Sequence, residues 1–210
     1  MAMGQYGSGE SSQPFKTVKD YDNWLLRVHG YTAWCDSAIG NFRAGMASNY
    51  MLPKTLVVKM IDVCNGLISD DETKSIFYGP VKNLPATFSD EEKAKITLAY
   101  KTAIQNELNP CHTKIATFLK EEYLPKARST SGVGDLPDGL NYYKLCVKEW
   151  TTTDKTLDEI YNTGLSEVKR IRAVMENIKQ STGFKGDLDA FFHFMRSDKQ
   201  FRPFKSAEQV

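Results

Sequence analysis

The sequence predicts an all-α protein, a bundle-like array of about six helices. Three observations predict it. Apolar residues recur at steps of three and four along every long segment, which places them on one face of a helix. Serine or threonine followed three residues later by glutamate or glutamine marks several segment starts. No segment shows strong strand alternation, and no internal repeat is present.

The first helix is expected from about Thr17 to Ser48, with Tyr21, Trp24, Val28, Tyr31, Cys35, Ala38 and Phe42 on its apolar face. Asp20, Asp22 and Asn23 suit its first turn, where a carboxylate opposes the helix dipole. Gly30, Gly40 and Gly45 each cost about 1 kcal/mol relative to Ala, so close packing or bending is expected there. Pro53 fits the first position of a second helix, with Leu56, Met60, Cys64 and Leu67 as its stripe and Ser69 to Asp71 as its end. Tyr78 to Thr87 reads as a connector, since it holds Gly79, Pro80 and Pro85.

Ser89 and Glu92 form a capping box for the third helix, with Ile96, Ala99, Tyr100, Ala103, Ile104 and Leu108 facing inward. Asn109-Pro110 reads as a break and a new start. The fourth helix carries Cys111, Ile115, Phe118 and Leu119 and stops near Pro125. Ser129 to Asn141 is a long loop. Its Gly132-Val133-Gly134 is no phosphate cradle: it follows a helix, lacks a third glycine and has no Gly-Lys-Ser/Thr.

Tyr142 to Trp150 reads as a helix or an extended piece. Thr156 and Glu159 cap the next helix, whose inward face is Tyr161, Gly164, Val168, Ile171, Met175 and Ile178. Glu167, Lys169, Arg170 and Lys179 form its solvated face. Asp187 caps a short helix with Leu188, Phe191, Phe192 and Met195 on one side. Ser206 and Gln209 repeat the capping pattern one residue before Val210, which points to a sequence cut from a larger domain.

The domain organisation follows: residues 1–14 form a flexible Gly- and Ser-rich leader or linker without the features of a signal peptide, and residues 15–210 form one helical domain. A hydrophobic fraction of 41% supports a core. Lys and Arg number 27 against 26 Asp and Glu, so no basic surplus calls for nucleic acid. No apolar run reaches membrane-spanning length.

Cys35, Cys64, Cys111 and Cys146 are widely spaced, with no C-x-x-C pair. They read as small buried hydrophobes, with a disulfide framework as the second reading. His29, His112 and His193 include no pair at the spacing of H-E-x-x-H. Asp189 and His193 stand one helical turn apart, a spacing for an ion pair before a metal. Cys111 and His112 are adjacent and point about 100° apart on a helix, which does not suit a Cys–His dyad. Asp70-Asp71, Glu91-Glu92 and Glu121-Glu122 read as solvated helix ends. The loop before Tyr142-Tyr143 is the better candidate, because loops on a rigid scaffold line binding sites and phenols donate hydrogen bonds.

The run Glu122-Tyr123-Leu124-Pro125-Lys126-Ala127-Arg128, then Leu136-Pro137-Asp138-Gly139, Tyr142-Tyr143 and Thr151-Thr152, resembles the bacterial family of unknown function numbered 885 (DUF885). Gly183-Phe184, Phe194-Met195-Arg196-Ser197-Asp198 and, upstream, Asp20-Tyr21-Asp22-Asn23-Trp24-Leu25 and Arg43-Ala44-Gly45 continue the likeness from Gln13 onward. The resemblance implies a portion of a longer, gluzincin-like helical protein, a zinc metallopeptidase of the bacterial cell envelope or periplasm. The motif H-E-x-x-P-G-H, whose histidines would bind zinc and whose glutamate would be the base, matches no position of this chain. No catalytic residue or metal ligand is therefore assigned here, and zinc is expected only for the full-length family.

What the resemblance carries over is the scaffold and one wall of a peptide cleft, for which Arg128, Gly139, Tyr142 and Tyr143 are the candidates. Two further expectations stand beside it: a stand-alone helical binding or interaction domain, and a cysteine-dependent enzyme. A piece of a larger protein would also self-associate through exposed apolar faces.

Overall fold

In the computed structural model, which describes residues 2–204 and 206–209, every regular element is helical, and the one β-type contact among the described residues is an isolated bridge between Pro53 and Arg128. The chain divides into two compact units, Met1–Asn141 and Tyr142–Val210, where the sequence reading sets a single helical domain from residue 15.

The first unit is a bundle-like array. Helix α1 (Ala2–Gly7) occupies the stretch expected to be a flexible leader. It packs because Met3 is buried in the core, and because Gly7 lets the backbone lie against two rings. A Cβ there would come within 2.4 Å of the Trp24 indole and 2.6 Å of Phe77. Helix α2 (Val18–Ala47) starts at a reciprocal cap: the Asp20 amide donates to Thr17 Oγ1 at 3.3 Å, and the Thr17 amide donates to Asp20 Oδ2 at 2.8 Å. Those hydrogen bonds hold the Asp20 carboxyl below its usual value. Gly30 and Gly40 face open space, so the close packing expected of them is not found, whereas Gly45 sits against the Tyr50 carbonyl.

Helix α3 (Lys54–Asn65) follows Pro53, which caps it from an extended conformation. Of its expected stripe, Met60, Cys64 and Leu67 pack against the cores, and Leu56 is the one that does not. Val57 is fully buried with Met60, Ile61 and Cys64 packed near it, and Leu56 is exposed. Two 3₁₀ turns, Glu72–Lys74 and Ile76–Tyr78, lead into the expected connector, which holds the short α4 (Gly79–Lys82).

Helix α5 (Asp90–Ala103) carries the expected capping box, with Ser89 N–H donating to Glu92 Oε2 at 2.8 Å. The expected break at Asn109-Pro110 does not occur. A π turn over Ile104–Leu108 carries α5 straight into α6 (Asn109–Phe118). Proline lacks an N–H and crowds the carbonyl one turn back, and the wider π turn accommodates this without ending the helix. Asn109 is helical, and its side-chain Nδ2 donates to the Ser69 carbonyl at 2.8 Å. A second π turn, Leu119–Tyr123, precedes Pro125 in the same way.

Two cores lie along α2. Tyr21, Trp24, Val28, Phe77, Tyr100 and Ile104 form one, and Ile39, Val57, Phe118, Leu119 and Tyr123 form the other.

Helix α7 (Gly139–Thr151) begins at the end of the first unit and runs into the second, so its helical option is the one adopted. In the second unit, α8 (Leu157–Ser181) starts at the Thr156–Glu159 capping box, and Asp187 caps α9 (Leu188–Ser197). The helices are as expected, but the burial is not. Tyr161, Val168, Ile171, Met175 and Ile178 remain exposed along α8. Lys179, expected in solvent, is buried: it pairs with Glu176 and donates to the Gly186 carbonyl at 2.7 Å, which offsets the desolvation of its charge. Four rings, Phe184, Phe191, Phe194 and Phe201, pack at the α8–α9 end. Ser206 accepts from the Gln209 amide in a 3₁₀ turn; Val210, on which the expected cut rests, lies outside the described residues.

Candidate functional site

The loop before α7 is held by its own backbone and one arginine. Arg128 pairs with the α2–α3 connection on both sides: its amide donates to the Leu52 carbonyl at 3.3 Å, and its carbonyl accepts from Lys54 at 2.9 Å. Its guanidinium then gathers carbonyls. Nε donates to Met51 O at 2.8 Å, and Nη1 donates to Thr130 O at 3.0 Å and Gly132 O at 2.6 Å. A planar fork with five donors suits this; a lysine ammonium would not reproduce it. The Tyr123 hydroxyl, buried below, accepts from the Leu52 amide at 2.8 Å.

Gly139 closes the loop. A Cβ at this position would fall 2.1 Å from the Val133 carbonyl oxygen, so only glycine allows the approach. Its amide donates to the Leu136 carbonyl at 2.8 Å. Arg128 and Gly139 thus belong to the first unit and fix the loop.

Tyr142 and Tyr143 belong to the second unit, on α7, and are 57% and 45% exposed. Tyr142 and Cys146 stand one turn apart, and the hydrogen bond to that thiol raises the phenol pKa above its usual value. Tyr143 presents an open phenol. Together they offer two hydroxyl donors to an approaching chain.

The alternatives weighed in the sequence fare as follows. His112 meets the Tyr31 hydroxyl at 3.4 Å through Nε2 and stacks on Phe77, and burial lowers its pKa, so the imidazole is engaged away from Cys111. Asp189 and His193 share α9, but among the described residues no three His, Cys, Asp or Glu side chains converge to hold a metal ion. Glu122 has a partner that the sequence did not reveal: Arg43 of α2 grips it bidentately at 2.6 and 3.0 Å, which lowers the carboxyl and raises the guanidinium. Among the described residues, no helix is long and apolar enough to cross a membrane.

The model of one family, described as a bacterial protein of unknown function (DUF885), matches residues 2–210. Among solved structures, the chain is similar to one described as "the putative lipoprotein from Colwellia psychrerythraea", with a TM-score of 0.79 at 22% identity. The match covers 90% of this chain and 33% of that one, so the chain spans about a third of its length. At that identity the likeness speaks for the fold. No curated protein matches the chain.

Proposed function

Because the chain belongs to the bacterial DUF885 family, we propose that it supplies the helical scaffold, and part of the substrate cleft, of a zinc-dependent peptidase, with no hydrolysis by this portion alone. The observation that carries this reading is the pair of exposed phenols, Tyr142 and Tyr143, at the start of α7, next in sequence to a loop pinned by Arg128. Their hydroxyls are suited to the backbone of a peptide substrate. Arg128 and Gly139 hold the loop in shape. Zinc and its ligands belong, in this reading, to the remainder of a full-length family protein, and no step of the chemistry is assigned to these residues. The cell envelope is the proposed compartment, on the strength of the lipoprotein to which the fold is similar.

The test is the double substitution Tyr142→Phe and Tyr143→Phe in the full-length protein, assayed for peptide hydrolysis. Losing two substrate hydrogen bonds, each worth about 1 kcal/mol, should lower kcat/KM about tenfold or more. Unchanged hydrolysis sinks the cleft assignment.

A stand-alone binding domain is the second reading, favoured by an apolar groove of about 650 Å³ lined by Met175, Ile178, Phe184, Phe192, Met195 and Phe201. The two readings differ in solution. A scaffold portion whose α8 face is normally covered should bind a hydrophobic dye strongly and self-associate at micromolar concentration. A monodisperse monomer that leaves the dye dark favours the independent domain.

A further inference from the structure

In the second unit, the chain after α9 alternates cations and rings. Residues 199–205 read Lys-Gln-Phe-Arg-Pro-Phe-Lys, with no carboxylate among them. Asp198 orders the start of this stretch: its carboxylate accepts from the Gln200 amide at 3.0 Å, and its carbonyl accepts from the Phe201 amide at 3.2 Å. The Arg202 amide donates to the Lys199 carbonyl at 3.0 Å and closes a 3₁₀ turn over Lys199–Phe201. Such a turn returns to the same side every three residues, so Lys199 and Arg202 share one side. Phe201 meets Phe194 of α9 edge-on at 5.4 Å, yet is 49% exposed. Pro203 has no N–H with which to carry the turn further, and Phe204 beyond it is 58% exposed. We propose that this stretch docks the protein on an anionic phospholipid surface, with Lys199 and Arg202 at the headgroups and Phe201 and Phe204 at the acyl boundary.

Charge complementarity selects this partner. Lys199 and Arg202 have no ion-pair partner among the described residues. The same holds for Lys185 and Arg196, which adjoin the groove residues Phe184 and Met195 in sequence. All four cations are exposed. Of the three carboxylates between residues 183 and 204, Asp187 and Asp198 are turned to backbone amides as helix caps, at 2.8 and 3.0 Å. Unpaired cations are drawn to a negative leaflet, and exposed rings beside them leave water when they enter its acyl boundary. A small soluble anion would meet the cations and leave the rings in water. A neutral apolar partner would strand the cations. An interface of negative headgroups over hydrocarbon takes both. Docking of this kind is peripheral and takes no part in hydrolysis, so its failure leaves the reading of Tyr142 and Tyr143 standing.

The test is flotation of the whole chain with vesicles on a density gradient. Vesicles of phosphatidylcholine mixed with phosphatidylglycerol should carry the protein upward, and vesicles of phosphatidylcholine alone should not. Lys199→Gln with Arg202→Gln should weaken binding to the mixed vesicles about tenfold or more. Phe204→Ser should weaken it several-fold, since one ring no longer enters the boundary. Lys144→Gln with Lys169→Gln removes the same charge from exposed positions on α7 and α8 and should leave affinity within about twofold. All these side chains are exposed, so the helical circular dichroism should be the same in every variant. Absence of flotation with the mixed vesicles overturns the proposal, and so does equal flotation with both kinds. Equal losses in the two lysine-containing pairs would show attraction without a site and overturn it as well. Release by inorganic phosphate, beyond that caused by sodium chloride at the same ionic strength, would assign the cations to a free anion instead.

Discussion

Trp24→Ala should destabilise the first unit by about 3–5 kcal/mol, the range for removing a large aromatic from a packed core. Trp24 is almost wholly enclosed. Phe15 meets its ring edge-on at 6.2 Å, Gly7 lies against it, and Phe77, Tyr21 and Tyr100 belong to the same core. The substitution removes the surface on which α1 and the connector before α4 both rest, and backbone held by so many neighbours collapses only partly into the space. Urea unfolding measures the loss as a lowered midpoint at constant slope. Trp150→Ala is the internal control: that ring is 85% exposed, and its loss should stay within about 0.5 kcal/mol. A Trp24 variant that loses less than about 1 kcal/mol would show that the first core is not built on the indole.

The parts of this fold that were legible in the sequence are those decided within one turn of chain. Ser89–Glu92, Thr156–Glu159 and Asp187 cap helices because each cap needs only residues three apart. The three-four rhythm likewise located α2, α3 and α8. What failed depends on partners far away. Val57 rather than Leu56 faces inward because α3 is turned by what it packs against. Asn109-Pro110 looks like a stop, yet a π turn carries the helix through it, with Asn109 tied to Ser69. Lys179 looks solvated until Gly186 supplies a carbonyl. The rhythm of α8 announces a helix correctly and says nothing of what covers Val168 or Ile171, which are exposed.

The candidate site divides in the same way. Tyr142-Tyr143 could be singled out as a phenol pair next in sequence to a glycine-rich loop, and both rings are exposed on α7. The work of Arg128 was not legible, because its acceptors are carbonyls, and a carbonyl leaves no trace in residue type.

Gly139→Ala tests whether the loop and the start of α7 are one structure, and its expected cost is about 3 kcal/mol. The added methyl carbon would sit 2.1 Å from the Val133 carbonyl oxygen and 3.0 Å from the Gly134 carbonyl carbon, both backbone atoms that cannot rotate aside. The chain must therefore open between Val133 and Gly139. Opening it stretches the bond from the Gly139 amide to Leu136 and displaces the turn at Asp138, which already holds φ at 53°. A loss of a few kcal/mol is in keeping with a backbone clash at a position that a side chain cannot share. Limited proteolysis gives the sharper signature: the variant should be cut within residues 129–141 at a protease level that leaves the parent intact. Gly134→Ala is the matched control, because a Cβ there meets nothing within 4 Å and should leave both stability and cleavage unchanged. If the two alanine variants behave alike, Gly139 is not what closes the loop, and the role given to it in holding the loop in shape fails with it. If only Gly139→Ala opens the loop while the helices of the first unit stay folded, the same variant in a full-length family protein separates the two roles assigned above: hydrolysis should fall because the phenols lose their placement, even though neither has been changed.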